Sequence, residues 1–100
     1  RIELDGRIDL HGMRQAEARE ALGRFIRAHH LSGDRTLLVI TGKGGARGEA
    51  DGSERGVLRT MLPIWLGAPD LAPLIAGFDQ AARGHGGDGA FYVRLKRGAA

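Results

Sequence analysis

Apolar and polar residues alternate along RIDLH, residues 7–11. Ile8 and Leu10 fall on one side and Arg7, Asp9 and His11 on the other, which predicts a half-buried strand broken by Gly12. From Met13 to Leu31 the period becomes helical. Ala18, Leu22, Phe25, Ile26 and His29 share one face, while Glu17, Glu20, Arg24 and Arg27 take the opposite one. Ser32–Asp34 ends that helix, with Gly33 placed for a left-handed cap. TLLVI, residues 36–40, is a continuous apolar run of the kind found in a central strand. After it comes a glycine-rich loop, TGKGGARGEADGS, with no apolar anchor. A second helix is expected through Val57, Leu58, Met61 and Leu62. Asp51 or Ser53 is its candidate cap, and Pro63 is expected to kink or end it, leaving IWLGAPDL as a turn-rich exit. Leu74, Ala76 and Phe78 alternate within Pro73–Ala81, a third strand. Ala90–Arg97 reads as a fourth, with Phe91, Val93 and Leu95 on one side and Tyr92, Arg94 and Lys96 on the other.

The order β-α-β-α-β-β implies an α/β fold in two layers. Two β-α-β crossovers of one hand send the first three strands in the same direction and lay both helices on one face of the sheet. The last strand returns through a hairpin, so the four-stranded sheet is mixed, with that strand antiparallel. The carboxyl ends of three strands then meet at one edge, where ligands bind in open α/β sheets. The turn at His11–Gly12, the loop from Thr41 to Gly45 and the turn RGHGGDG are expected to share one crevice there.

Length and composition narrow the setting. One hundred residues suffice for one core, so residues 1–100 are read as a single domain with a linker-like start over residues 1–6. The chain opens on Arg1 and not Met, which suggests a domain cut from something longer. With 42% hydrophobic and 27% charged residues of both signs, the composition is that of a globular chain. No apolar run reaches the roughly 18–20 residues that cross a bilayer, so no membrane association is expected. Absence of cysteine excludes disulfides and thiolate metal sites and fits a cytoplasmic setting. The net charge of +3, almost wholly from arginine, permits an anionic partner without demanding one.

Candidate chemistry clusters at the strand ends. Asp9 and His11, two apart on a strand, point the same way, and a carboxylate beside an imidazole fixes its tautomer and leaves the other nitrogen for proton transfer. That spacing alone is weak, since a histidine at a strand end is more often structural. In TGKGG, glycines allow backbone N–H groups close to an anion, with Lys43 adding charge and Thr41 a hydroxyl. A plain connector is the competing reading of that loop, and the spacing of a P-loop is absent. HGGDGA supplies His85 and further backbone donors, or simply a hairpin turn. Arg94 and Lys96 either extend a basic track for a phosphate backbone or form an ordinary solvated face. His29, on the apolar stripe, is read as a satisfied, half-buried histidine, and Met61 and Trp65 as packing residues.

IDLHG followed by a helix, TGKG after an apolar strand, and HGGDGAFYVRLKR near the end together resemble the Smr (small MutS-related) domain, over about residues 7–97. VLRTMLPIWLGAPDL and the closing stretch are similar to stand-alone bacterial Smr proteins. The resemblance implies a fold similar to the carboxyl-terminal domain of a bacterial translation initiation factor. It also implies endonuclease activity on RNA or DNA, in some members on messenger RNA at stalled ribosomes. The family's D-x-H motif falls on Asp9 and His11, its [TH]-G-x-G motif on Thr41, Gly42, Lys43 and Gly44, and its closing turn on Gly86, Gly87 and Gly89. The long charged loop after TGKG departs from the pattern. The mechanism expected from both lines has Gly42, Lys43 and Gly44 hold the scissile phosphate, His11 move a proton with Asp9 orienting it, and His85 serve the leaving oxygen. RNA carries its own nucleophile in the 2′-hydroxyl, whereas DNA hydrolysis would draw on water and a divalent metal such as Mg²⁺. The competing class is a nucleic-acid or ribosome-binding module without chemistry, and a small-metabolite enzyme is a distant third.

Overall fold

The structure is a computed structural model that describes residues 3–42, 56–81 and 89–98. Its elements run β1 (Gly6–Asp9), α1 (Gln15–Leu31), β2 (Thr36–Ile40), α2 (Val57–Leu66), a 3₁₀ turn (Ala72–Leu74), β3 (Ile75–Gln80) and β4 (Ala90–Leu95). The sheet order is β1-β2-β4-β3. β1 pairs with β2 in parallel, and β4 lies antiparallel to both of its neighbours. β1, β2 and β3 therefore point the same way, and the expected mixed two-layer α/β architecture is present.

Both helices cover one face of the sheet. Ala18, Leu22 and Ile26 from α1 and Leu58, Leu62, Trp65 and Leu66 from α2 share a core with Leu10, Leu37, Val39, Phe91, Val93 and Leu95 from the strand side. Phe25 and His29 border this core. Their rings meet edge to face with centroids 4.6 Å apart. The other face carries a smaller cluster in which Leu38, Ala81, Ala90 and Tyr92 are buried. β2 and β4 thus have apolar side chains on both faces, as the unbroken TLLVI run requires.

The helix caps differ from expectation at three points. α1 begins at Gln15 and not Met13, with Glu17 accepting the Arg14 N–H at 3.4 Å, one half of a capping box. α2 starts from Gly56, whose φ of 88° is left-handed, while Asp51 and Ser53 lie outside the described residues. α2 also continues through Pro63 to Leu66. Proline removes one donor from the ladder, but the turn beyond it buries Trp65 and Leu66, and the Gly67 N–H closes it on the Pro63 and Ile64 carbonyls. At the end of α1, Gly33 takes the left-handed conformation expected of it, with φ 83°.

β3 departs from simple alternation. The register slips between Ile75 and Gly77, so Ile75 and Phe78 face the helix side while Ala76 is exposed and Leu74 packs from the 3₁₀ turn. A bulge of this kind lets an edge strand twist away from the regular ladder. Phe78 then meets Phe91 edge to face at 6.5 Å.

Two contacts fix the start of the sheet. The Asp5 carboxylate accepts the Arg35 N–H at 2.8 Å and the Thr36 N–H at 2.9 Å, tying the chain before β1 to the start of β2. These two bonds hold the Asp5 carboxyl below its ordinary value of 3.8. The second contact is His29, whose Nδ1 lies 2.6 Å from Asp34 Oδ2 and whose ring packs on Gly6. A Cβ at Gly6 would come within 2.5 Å of that ring.

Asp5→Ala is expected to lower the urea midpoint at pH 7. Because the native carboxyl is depressed, this stabilisation is full above 3.8 and fades as pH falls through the lower native value. The gap between variant and wild type should therefore close in acid. Gly6→Ala should destabilise by about 1–3 kcal/mol through overpacking, and by clearly less in a His29→Ala background. Equal costs in both backgrounds would show that the ring and Gly6 do not meet.

Candidate functional site

Asp9, Leu10 and His11 end β1 with side chains that alternate out, in and out. Leu10 is fully buried, and its N–H donates to the Ile40 carbonyl at 2.7 Å, extending the parallel ladder one step beyond Asp9. This apolar plug holds the two polar residues on the exposed side. Asp9 Oδ1 accepts the His11 backbone N–H at 3.0 Å and lies 3.0 Å from His11 Nδ1. One carboxylate oxygen thus folds the turn and orients the ring. With Nδ1 committed, Nε2 is the nitrogen left for chemistry.

Partial burial tends to raise the Asp9 carboxyl. The backbone N–H and the ring of His11, with Arg7 nearby, outweigh it and hold the group below 3.8. Asp9 therefore stays anionic throughout the range in which an imidazole titrates, ready to stabilise the ring in its charged form. The His11 side chain is 69% exposed, so the pair stands on an open edge and not in a closed cavity.

The end of β2 meets this pair directly. Gly42 has φ 86°, and a Cβ built on it would lie 3.1 Å from His11 Cβ. Only glycine lets the two strand ends approach so closely. The Thr41 and Gly42 N–H groups both donate to the Gly89 carbonyl, at 2.7 and 3.1 Å. The Thr41 hydroxyl, buried, lies 3.3 Å from the same oxygen and 3.1 Å from the Gly42 carbonyl. Thr41 thus fastens β2 to the residue before β4, and Gly42 offers the site space, its own donor being engaged by Gly89.

The structure therefore brings Asp9, His11, Thr41, Gly42 and Gly89 together at the edge where the parallel strands end. Lys43, Gly44, His85, Gly86 and Gly87 lie outside the described residues. Arg94 and Lys96 are not brought to this edge. Arg94 pairs in register with Thr36, at the start of β2, about 13 Å along the strand from Ala90, and its guanidinium binds Asp79 at 2.9 Å. Gly89, which the resemblance placed in the closing turn, takes part through its carbonyl, an acceptor role that the residue pattern did not mark. A glycine before an apolar strand carries no mark of accepting hydrogen bonds from a loop forty-eight residues earlier.

Among the described residues no group of three His, Cys, Asp or Glu side chains is placed to hold a metal ion. The Asp9 carboxylate is committed to His11. No described helix is long and apolar enough to cross a membrane.

The Smr domain family model matches residues 8–96. The chain is 32% identical over 91 residues to the ribosome rescue factor SmrB of Shewanella sp. (strain W3-18-1), an alignment that covers 91% of this chain and 44% of the relative. The corresponding protein of Shewanella oneidensis gives the same identity and coverage. The chain thus spans under half the length of these curated relatives. Among solved structures it resembles the Smr domain of Thermus thermophilus MutS2, with TM-score 0.73, 26% identity, and coverage of 91% of this chain and 98% of that one. It also resembles YdaL, a stand-alone small MutS-related protein from Escherichia coli, with TM-score 0.74, 28% identity, and coverage of 91% and 64%. From fold, strand-end geometry and sequence together, the chain belongs to the Smr domain family.

Proposed function

We propose that this Smr domain is an endonuclease that cleaves phosphodiester bonds in nucleic acid, with RNA as the favoured substrate. The observation that carries this reading is the His11 ring, held by Asp9 through Nδ1 with Nε2 left at an exposed edge. A fixed imidazole with one free nitrogen is a general acid–base group, and the open edge admits a polymer. The names of the curated relatives, ribosome rescue factors, support RNA and the ribosome as partners.

On RNA, Nε2 removes the proton from a 2′-hydroxyl, whose oxygen attacks the adjacent phosphorus. The bond from phosphorus to the 5′-oxygen breaks, and that oxygen takes a proton from water or from a second acid, for which His85 is the candidate. The products are a 2′,3′-cyclic phosphate and a 5′-hydroxyl. Asp9 stabilises the imidazolium formed in the first step, as an ionised carboxylate on Nδ1 does. Lys43, next to Gly42 in sequence, supplies positive charge for the phosphate, with Gly44 following it. No step is routed through a metal.

A second reading, a nucleic-acid-binding module without chemistry, draws on the openness of the same edge. Water reaches the His11 side chain freely, whereas a closed active site expels it.

Wild-type and His11→Ala protein are to be incubated with end-labelled single-stranded RNA, duplex RNA and supercoiled plasmid, each with Mg²⁺ and with EDTA. Cleavage of RNA with cyclic-phosphate ends should survive EDTA and fall about 10²–10⁴-fold in His11→Ala. A variant that cuts at the wild-type rate would sink the assignment, and binding without cutting on any substrate would favour the second reading.

Gly42→Ala should lose about 10²-fold in cleavage and also melt below wild type, because alanine is strained at φ 86°. The methyl group displaces His11 from its position without emptying the core. A Gly42→Ala protein with full activity would mean that the close approach of the two strand ends does not serve the reaction.

A further inference from the structure

We propose that the cleft beside the first turns of α1 is a second subsite, which holds a neighbouring nucleotide of the polynucleotide that passes the Asp9–His11 pair. It rests on the reading of that pair as a nucleic-acid site and deepens it, because it specifies a substrate chain and excludes a lone phosphorylated metabolite.

The cleft has a volume of about 500 Å³ and is lined by Arg14, Gln15, Ala16, Arg19 and Trp65. Its lining contains two arginines and no acidic residue, a match to a phosphodiester. Trp65 is 7% exposed, so it offers an apolar wall to a sugar or base edge and not a face to stack on.

Arg19 is held in place. Its Nη2 donates to Asp70 Oδ1 at 2.7 Å, and Arg27 approaches the other oxygen of Asp70 at 3.6 Å. Between them on α1 lies Gly23, where a Cβ would stand 3.0 Å from Arg27 Nη1 and 3.3 Å from Arg19 Nη1. A glycine inside a helix is destabilising relative to alanine. Here it clears the helix surface so that two guanidiniums can converge on one carboxylate. With Arg14, three cations stand near two acids, Asp70 and Glu17, and the excess is one positive charge. Glu17 is turned to the Arg14 backbone N–H.

The cleft lies close to the site along the chain. Arg14 follows His11 by three residues, so their Cα atoms are at most about 11 Å apart. A single phosphate contacts one or the other, whereas a strand of two or more nucleotides reaches both.

Trp65 is the sole tryptophan of the chain and lines this cleft, so its emission can report on binding there. The test uses His11→Ala protein, so that RNA is bound and not consumed. Binding of an eight-nucleotide single-stranded RNA is followed by anisotropy of an end-labelled strand and, with unlabelled strand, by Trp65 emission. Inorganic phosphate and a nucleoside monophosphate serve as further arms.

RNA should shift the emission with the same midpoint as the anisotropy. Arg14→Glu, an exposed change confirmed as folded by its melting curve, should weaken binding on the order of tenfold or more. Arg14→Ala should reduce the slope of log affinity against log salt by about 0.7, the loss of one phosphate contact on a single strand. RNA that binds with emission unchanged, or with affinity indifferent to Arg14→Glu, overturns the subsite and leaves the Asp9–His11 reading standing. Phosphate alone giving the full emission shift would reduce the cleft to a free-anion site and overturn the claim of a chain. Absence of any RNA binding overturns the subsite and the nucleic-acid reading together.

Discussion

The parallel pairing of β1 on β2 is the constraint on which the site depends. Asp9 stands opposite Ile40, and the ladder runs one bond further, from the Leu10 N–H to the Ile40 carbonyl. Because the two strands stop in step, His11 and Gly42 emerge side by side. Leu10 sets the depth of this arrangement, for it is fully buried between two exposed polar neighbours. Truncating a leucine in such a position costs about 2–5 kcal/mol, and here the loss would fall at the site. The sheet holds His11 through its backbone and one apolar side chain, and only then through the aspartate.

The fold was legible where periodicity was clean. RIDLH, the helical stripe through Ala18, Leu22 and Ile26, and the run TLLVI each announce their element, because burial selects residue type one position at a time. Legibility failed where a tertiary contact outweighs a local rule. Pro63 reads as a stop, yet the burial of Trp65 and Leu66 keeps α2 helical past it. Leu74, Ala76 and Phe78 alternate, yet the bulge between Ile75 and Gly77 puts Ala76 outside and Phe78 beside Phe91.

The site was legible to a similar extent and for related reasons. Asp9 and His11 are visible as a pair because their spacing equals the strand period. Their contact with Gly42 depends on register between segments thirty residues apart, which no local pattern encodes. Gly42 looks like a phosphate-binding glycine because of its company in TGKG, whereas its N–H is committed to Gly89 and its close contact is with His11. Arg94 and Lys96 share the side of the sheet to which Asp9 points, but strand direction carries them to the far end. Side is readable from alternation; position along the strand requires knowing which way β4 runs. Gly23 had a signal available, a helical glycine four residues from an arginine on either side, but its meaning lies with Asp70, which is remote in sequence.

Asp5 also bears on where this domain begins. The family match opens at residue 8, but the physical unit extends further back, since the Asp5 carboxylate supplies acceptors for two N–H groups at the start of β2. Cut at the family border, those two donors would face water, and the central strand would lose the clasp at the end opposite the site. The fold and the family match therefore begin at different positions, and a chain preceding the domain would join it through a residue that already holds the central strand.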